Sequence, residues 1–130
     1  MRNYYAEDGY PFEEREAIAA LDRLVRERER GQVWVAERQG RIAGYAVLTL
    51  GYSLEYRGVD AFVDEIYLTN EARGSGLGSQ ALSLIEAECI QRGVRALHLE
   101  VERDKTAARE LYRKRGFRDH QRFLMTKLLR

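Results

Sequence analysis

The residues best placed to do chemistry in this 130-residue chain are Arg73-Gly74-Ser75-Gly76-Leu77-Gly78. The run before them, Phe62-Val63-Asp64-Glu65-Ile66-Tyr67-Leu68, reads as a strand. The run after them, Ser79-Gln80-Ala81-Leu82-Ser83-Leu84-Ile85-Glu86, reads as a helix. The first N–H groups of a helix have no partner inside it. They carry about half a positive charge between them and seat an anion directly. Three glycines allow positive φ and let the backbone approach a ligand with no Cβ in the way. Arg73 adds a cation at the mouth. The chemistry this suggests is phosphate binding; the plainer alternative is a helix start with a flexible glycine lead-in.

Two common phosphate loops do not fit. A Walker loop needs Lys and then Ser or Thr after its last glycine, whereas Gly78 is followed by Ser79-Gln80. A dinucleotide fingerprint needs a third glycine and an acid about twenty residues on. Here Ser79 stands in the glycine's place and Ala96 in the acid's. What remains is Arg73-x-x-Gly76-x-Gly78 between a strand and a helix.

Other reactive side chains are few. Asp64 and Glu65 adjoin on the predicted strand. In an unbulged strand they lie on opposite faces, Asp64 with Ile66 and Leu68, Glu65 with Val63 and Tyr67; a bulge would change that. His98 reads as a hydrogen-bonded strand histidine before a proton relay. The single cysteine, Cys89, reads as a small core residue on a helix and excludes an internal disulfide. Two histidines and one cysteine, far apart, give no metal site.

Composition narrows the class. Hydrophobic residues make up 45% and charged residues 33%, as in a soluble globular chain. The length predicts one domain, 1–130, able to bury about two-thirds of its unfolded surface. A net charge of +1 argues against nucleic acid as a partner. The N-terminus lacks a basic-then-apolar signal, and no apolar run approaches the roughly 20 residues of a membrane span. No membrane partner and a cytoplasmic enzyme or binding domain are therefore expected.

The elements that must position these residues follow from periodicity. Ile18, Leu21 and Val25 recur at helical spacing from about Glu13 to Arg30, with Gly31 as the stop. Gln32–Glu37 is a strand by β-branched and aromatic content, Gln39-Gly40 a hairpin turn, and Arg41–Tyr52 a longer strand. Arg57-Gly58-Val59-Asp60 reads as the turn into Ala61–Leu68. That strand is apolar enough to be central and covered on both faces. Ala81, Leu82, Ile85 and Cys89 form one face of a helix ending at Arg92-Gly93. Ala96–Val101 alternates like a strand. Thr106–Arg115 is a short helix stopped by Gly116, and strand character returns from Phe117, strongest over Phe123–Leu128. The strand-helix-strand crossover puts its two strands parallel. The expected fold is α/β with a mixed, mostly antiparallel sheet flanked by helices.

This order, with two motifs, resembles the GNAT superfamily of acetyl-CoA-dependent N-acetyltransferases. Asp64-Glu65-Ile66-Tyr67-Leu68, followed after four residues by Arg73-Gly74-Ser75-Gly76-Leu77-Gly78, is similar to its core motif. Ala108-Arg109-Glu110-Leu111-Tyr112-Arg113-Lys114-Arg115-Gly116-Phe117 resembles its A-x-x-L-Y-x-x-x-G-F ending. The likeness covers most of the chain and is nearest to small bacterial members and polyamine acetyltransferases. Two features depart from the pattern. Members begin with a strand that residues 2–6 either supply or lack; without it Val33–Ala36 is an open edge that predicts a homodimer. Lys105 stands where the family often has asparagine.

The resemblance implies acetyl-CoA as co-substrate, no metal, and an amine acceptor, small molecule or protein. It implies that the amides from Arg73 to Ser79 (Gly74, Ser75, Gly76, Leu77 and Gly78 between) hold the pyrophosphate. It implies that Ile66, Tyr67 and Leu68 pair with the pantetheine arm, with Lys105 near the cofactor. The pairing requires the fourth and fifth strands to splay, since a fully paired strand has no free N–H to offer. Tyr112 is implied as cofactor contact and general acid; a core tyrosine is the alternative reading. Asp64 or Glu65 would act as base, with Asp64 favoured by motif alignment, or either is a salt-bridged structural acid. Glu55 could attract a cationic acceptor or be a solvated loop residue. A CoA-binding module without catalysis and a nucleotide-binding regulatory domain are the rival readings.

Overall fold

The computed structural model describes residue 1 and residues 13–129. The chain divides into two compact units, Met1–Leu99 and Glu100–Arg130. The strand considered at residues 2–6 lies outside the described residues.

In the first unit, Glu14–Arg26 forms helix α1. Glu14 and Glu16 occupy its first turn and Arg23 and Arg26 its last, which suits the helix dipole. The helix ends before the expected Gly31. A 3₁₀ turn covers Arg28–Arg30, and Gly31 instead opens strand β1, Gly31–Arg38. Gln39 and Gly40, at φ 54° and 76°, make the tight turn into β2, Arg41–Ser53. Positive φ at both positions matches the twist of paired strands. Strand β3 runs Gly58–Leu68, so Val59 and Asp60 are strand residues rather than part of a turn. Helix α2 follows at Leu77–Gln91, and β4 at Ala96–His98.

The sheet order is β1-β2-β3-β4, antiparallel across the first two pairs and parallel across the third. The α/β architecture with a mixed sheet is therefore present, with β3 interior. Its core includes Ala46, Leu48, Ala61 and Val63 from the sheet and Leu82, Ile85 and Cys89 from one stripe of α2. Leu48, Leu82 and Ile85 are wholly buried, each contributing about 1.5–3 kcal/mol of transfer free energy. Arg92 fastens the end of α2, donating to Glu88 at 2.6 Å, to the Arg28 carbonyl at 2.7 Å and to Gln32 at 3.0 Å.

Two irregularities in β3 shape everything that follows. Val47 pairs with Glu65 but Leu48 pairs with Val63, leaving Asp64 as an extra residue. That is a β-bulge. Second, β4 pairs with β3 only through Asp60–Ala96, Ala61–Leu97 and Phe62–His98. The predicted strand Ala96–Val101 stops at His98, while β3 continues six residues beyond Phe62 to Leu68.

In the second unit Thr106–Lys114 forms helix α3, and Gly116 turns the chain at φ 96°. The strand expected from Phe117 onward is not formed: residues 118–129 belong to no helix or strand. Phe123, Leu124, Met125 and Leu128 are strongly exposed, at 70–89%. Apolar alternation makes a segment able to be a strand, but the ladder hydrogen bonds that define one need a second strand.

Candidate functional site

Between β3 and α2 the backbone is built for approach. A 3₁₀ turn, Asn70–Ala72, leads into the glycines. Gly74 and Gly76 sit at φ 77° and 87°, and a Cβ built on either meets nothing within 4 Å. These are left-handed positions that favour glycine, facing open space. Gly76 is the N-cap of α2 and makes no side-chain cap. The Ser75 hydroxyl donates back to the Ala72 carbonyl, tightening the loop without reaching the helix start.

Arg73 is held at this junction rather than extended from it. Its Nε donates to the Leu68 carbonyl at 3.0 Å and its Nη1 to Asn70 Oδ1 at 2.6 Å. Its guanidinium lies 5.4 Å from the centre of the Tyr67 ring, within cation–π range. These contacts keep the guanidinium beside the start of the glycine turn.

The bulge rearranges the faces of β3. Directly paired residues of antiparallel strands share a face. Tyr45–Tyr67, Val47–Glu65, Thr49–Phe62 and Gly51–Asp60 therefore put Glu65, Tyr67, Phe62 and Asp60 together. The unbulged reading placed Glu65 with Val63; in the structure Val63 is on the other face. Leu68 and Ile66 share that other face, and the Leu68 Cδ1 lies 3.8 Å from where a Gly78 Cβ would be. Helix α2 thus begins over the face opposite Glu65.

Of the two candidate carboxylates, Asp64 is exposed and Glu65 is 7% exposed. Tyr45 Oη donates to Glu65 Oε1 at 2.7 Å. The Tyr45 and Tyr67 rings lie 6.1 Å apart. Further along the same face His98 Nε2 shares a hydrogen bond with Asp60 Oδ2 at 3.1 Å, its ring 5.3 Å from Tyr56 and 5.0 Å from Phe62. His98 is thus the hydrogen-bonded strand histidine the sequence suggested. Sequence reading missed Tyr45, whose contact with Glu65 depends on β2–β3 register, and Asp60, which it placed in a turn.

The second unit carries Tyr112 and Lys105. Tyr112, in the last turn of α3, is half-buried, with Phe117 edge-on at 5.8 Å and the Phe117 amide donating to its carbonyl at 3.0 Å. Burial pushes its phenol above the ordinary value, which keeps the proton on. Lys105 is the exposed N-cap residue of α3 and makes no side-chain cap. Burial likewise pushes the Cys89 thiol up, as for a core cysteine. Among the described residues no His, Cys, Asp and Glu group is arranged to hold a metal ion. No described helix is long and apolar enough to cross a membrane.

The Acetyltransferase (GNAT) family model matches residues 1–117. The chain belongs to the GNAT acetyltransferase family. Solved structures agree with the GNAT fold. An integron cassette protein from the mobile metagenome of Cole Harbour Salt Marsh is 34% identical, with a TM-score of 0.87 over 98% of this chain and 79% of that one. A predicted acetyltransferase from Clostridium acetobutylicum, solved with acetyl-CoA, gives 0.81 at 19% identity over 98% of this chain and 85% of that one. Aminoglycoside N-acetyltransferase AAC(6')-Iy, solved with CoA, gives 0.74 at 14% identity over 88% and 87%. At those last two identities the likeness is one of fold. Among curated proteins, thialysine N-epsilon-acetyltransferase of Bos taurus is 28% identical over 78 residues, 60% of this GNAT chain. The chain spans 45% of that relative's length.

Proposed function

We propose that this GNAT chain is an N-acetyltransferase that moves the acetyl group of acetyl-CoA directly to a primary amine of a small molecule or protein. The observation that carries the reading is the open end of β3: an interior strand that loses its β4 neighbour after Phe62 and runs into an uncapped, left-handed glycine turn. Such an end offers strand edge to an extended amide-bearing arm and helix amides to a diphosphate. Solved relatives of the same fold hold CoA or acetyl-CoA.

Acetyl-CoA supplies an acyl carbon bonded to a good leaving group. The amides from Gly74 to Ser79 and the guanidinium of Arg73 receive its diphosphate, and Ile66, Tyr67 and Leu68 present their backbone to its arm. An N–H at this end of β3 faces the thioester oxygen and stabilises the charge that develops there. Glu65 takes one proton from the ammonium of the acceptor, freeing the lone pair that attacks the acyl carbon. The C–N bond forms and the C–S bond breaks, the sulfur leaving with the bonding electrons. Tyr112 gives that sulfur a proton and is restored by the second proton of the former amine. One proton is released per turnover. The assignment of Tyr112 rests on its protonated phenol and on the motif around it. Glu65 is preferred to Asp64 because it is buried and hydrogen-bonded, whereas Asp64 is exposed.

The test is a thiol-release screen of amine acceptors with acetyl-CoA: small amines, amino acids, aminoglycosides and peptide N-termini. Release of CoA thiol with at least one class is expected. Protection against heat by CoA with no release from any class would leave a binding module without catalysis. An ATP or NAD that displaces acetyl-CoA would point to nucleotide binding instead.

A further inference from the structure

Glu65 is the charged residue that the sheet buries among the described residues. A carboxylate only accepts hydrogen bonds and a phenol O–H donates. The 2.7 Å contact from Tyr45 Oη to Glu65 Oε1 therefore fixes one carboxylate oxygen in a defined sense. Tyr45 is itself held tightly. It pairs directly with Tyr67 in the ladder, and its ring lies beside the Tyr67 ring. At Gly44, next to it, an added Cβ would fall 2.2 Å from the Tyr67 carbonyl oxygen, so the two backbones are pressed together there. Just past that pairing the Thr69 amide donates to the Ala43 carbonyl at 2.8 Å. A donor carried on so firmly paired a backbone, with a second ring beside it, can orient a flexible glutamate.

Resting on the reading of Glu65 as base, we propose that Tyr45 is a positioning residue for the reaction: its hydroxyl, brought into reach by the bulge at Asp64, holds the Glu65 carboxylate where it meets the acceptor's ammonium. Without the bulge Glu65 would lie one residue out of phase with Phe62 and Asp60, and the face shared with Tyr45 would be broken.

The experiment is a cycle of Y45F, E65Q and the double variant. It measures kcat and KM for acetyl-CoA and for the best acceptor of the screen, alongside thermal melting. Misplacing a reacting group by about 1 Å costs up to about a hundredfold, so Y45F should lower kcat about tenfold with KM for acetyl-CoA unchanged. The double variant should be no slower than E65Q, because Tyr45 acts through Glu65. Y45Q, which restores a donor, should recover part of the loss. If Y45F melts too low to assay, Y45M against E65Q gives the same comparison, since methionine also lacks a donor. A Y45F enzyme with normal kcat, or losses that multiply in the double variant, would overturn the role of Tyr45 while leaving Glu65 as base. An E65Q enzyme with undiminished kcat would overturn both.

Discussion

The two ends of β3 each carry a carboxylate on the same face of the sheet, and their surroundings differ. At the Asp60–Phe62 end the ladder to β4 is complete, and Asp60 is joined to His98 at 3.1 Å between the Tyr56 and Phe62 rings. At the Glu65–Leu68 end β4 is gone, Glu65 is held by Tyr45, and the strand leads to the glycine turn. The two carboxylates differ in hydrogen-bond partner and in whether β4 runs alongside. On the function proposed above, the carboxylate beside the closed ladder and the histidine is structural, and the one beside the open strand end is the base.

Substitutions at the two ends should have unequal effects. The largest effect is expected at the open end: E65Q should lower kcat about a hundredfold or more, the usual scale of a lost general base, while D64N lowers it far less. Equal losses from the two would remove the distinction drawn from the bulge. Y112F should cost a similar factor in kcat with affinity for CoA retained, measured by calorimetry. The Tyr112 phenol is raised by burial. Its neutral form is thus favoured in the fold, and the alkaline limb of the kcat–pH profile should lie above the ordinary phenol range. An alkaline limb that Y112F leaves in place would count against Tyr112 as the acid.

Smaller changes follow. G76A places a Cβ at φ 87°, a conformation that costs about 1–2 kcal/mol, and should raise KM for acetyl-CoA about tenfold through the misplaced amides. A KM unchanged in G76A would break the link between the turn and the diphosphate. The smallest kinetic effect belongs to the closed end. D60N should keep kcat within about threefold and lower stability by about 1 kcal/mol, the usual net worth of such a hydrogen bond. A kcat loss in D60N as large as in E65Q would erase the contrast between the ends.

The glycine turn was legible because its physics is local: three glycines, an arginine and a following apolar helix are contiguous in sequence. The antiparallel hairpins and the tyrosine-bearing helix were legible for the same reason. The bulge was not, because which residue is extra depends on how β2 registers against β3, twenty residues apart for Tyr45 and Glu65. The tail was misread for a related reason. Phe123–Leu128 has the composition of a strand, yet whether it becomes one is decided by a partner edge, which local pattern does not contain. Ala96–Val101 fails in the same way at its second half, where the parallel ladder ends at His98.

Seating of the diphosphate on the glycine turn is tested by following the backbone amides of Gly74, Gly76, Leu77, Gly78 and Ser79 by ¹⁵N NMR during titration with CoA and, separately, with pantetheine, which lacks the diphosphate. Large shifts of those amides with CoA and small ones with pantetheine are predicted. Amides that stay still under saturating CoA, with shifts clustered elsewhere, would contradict the account.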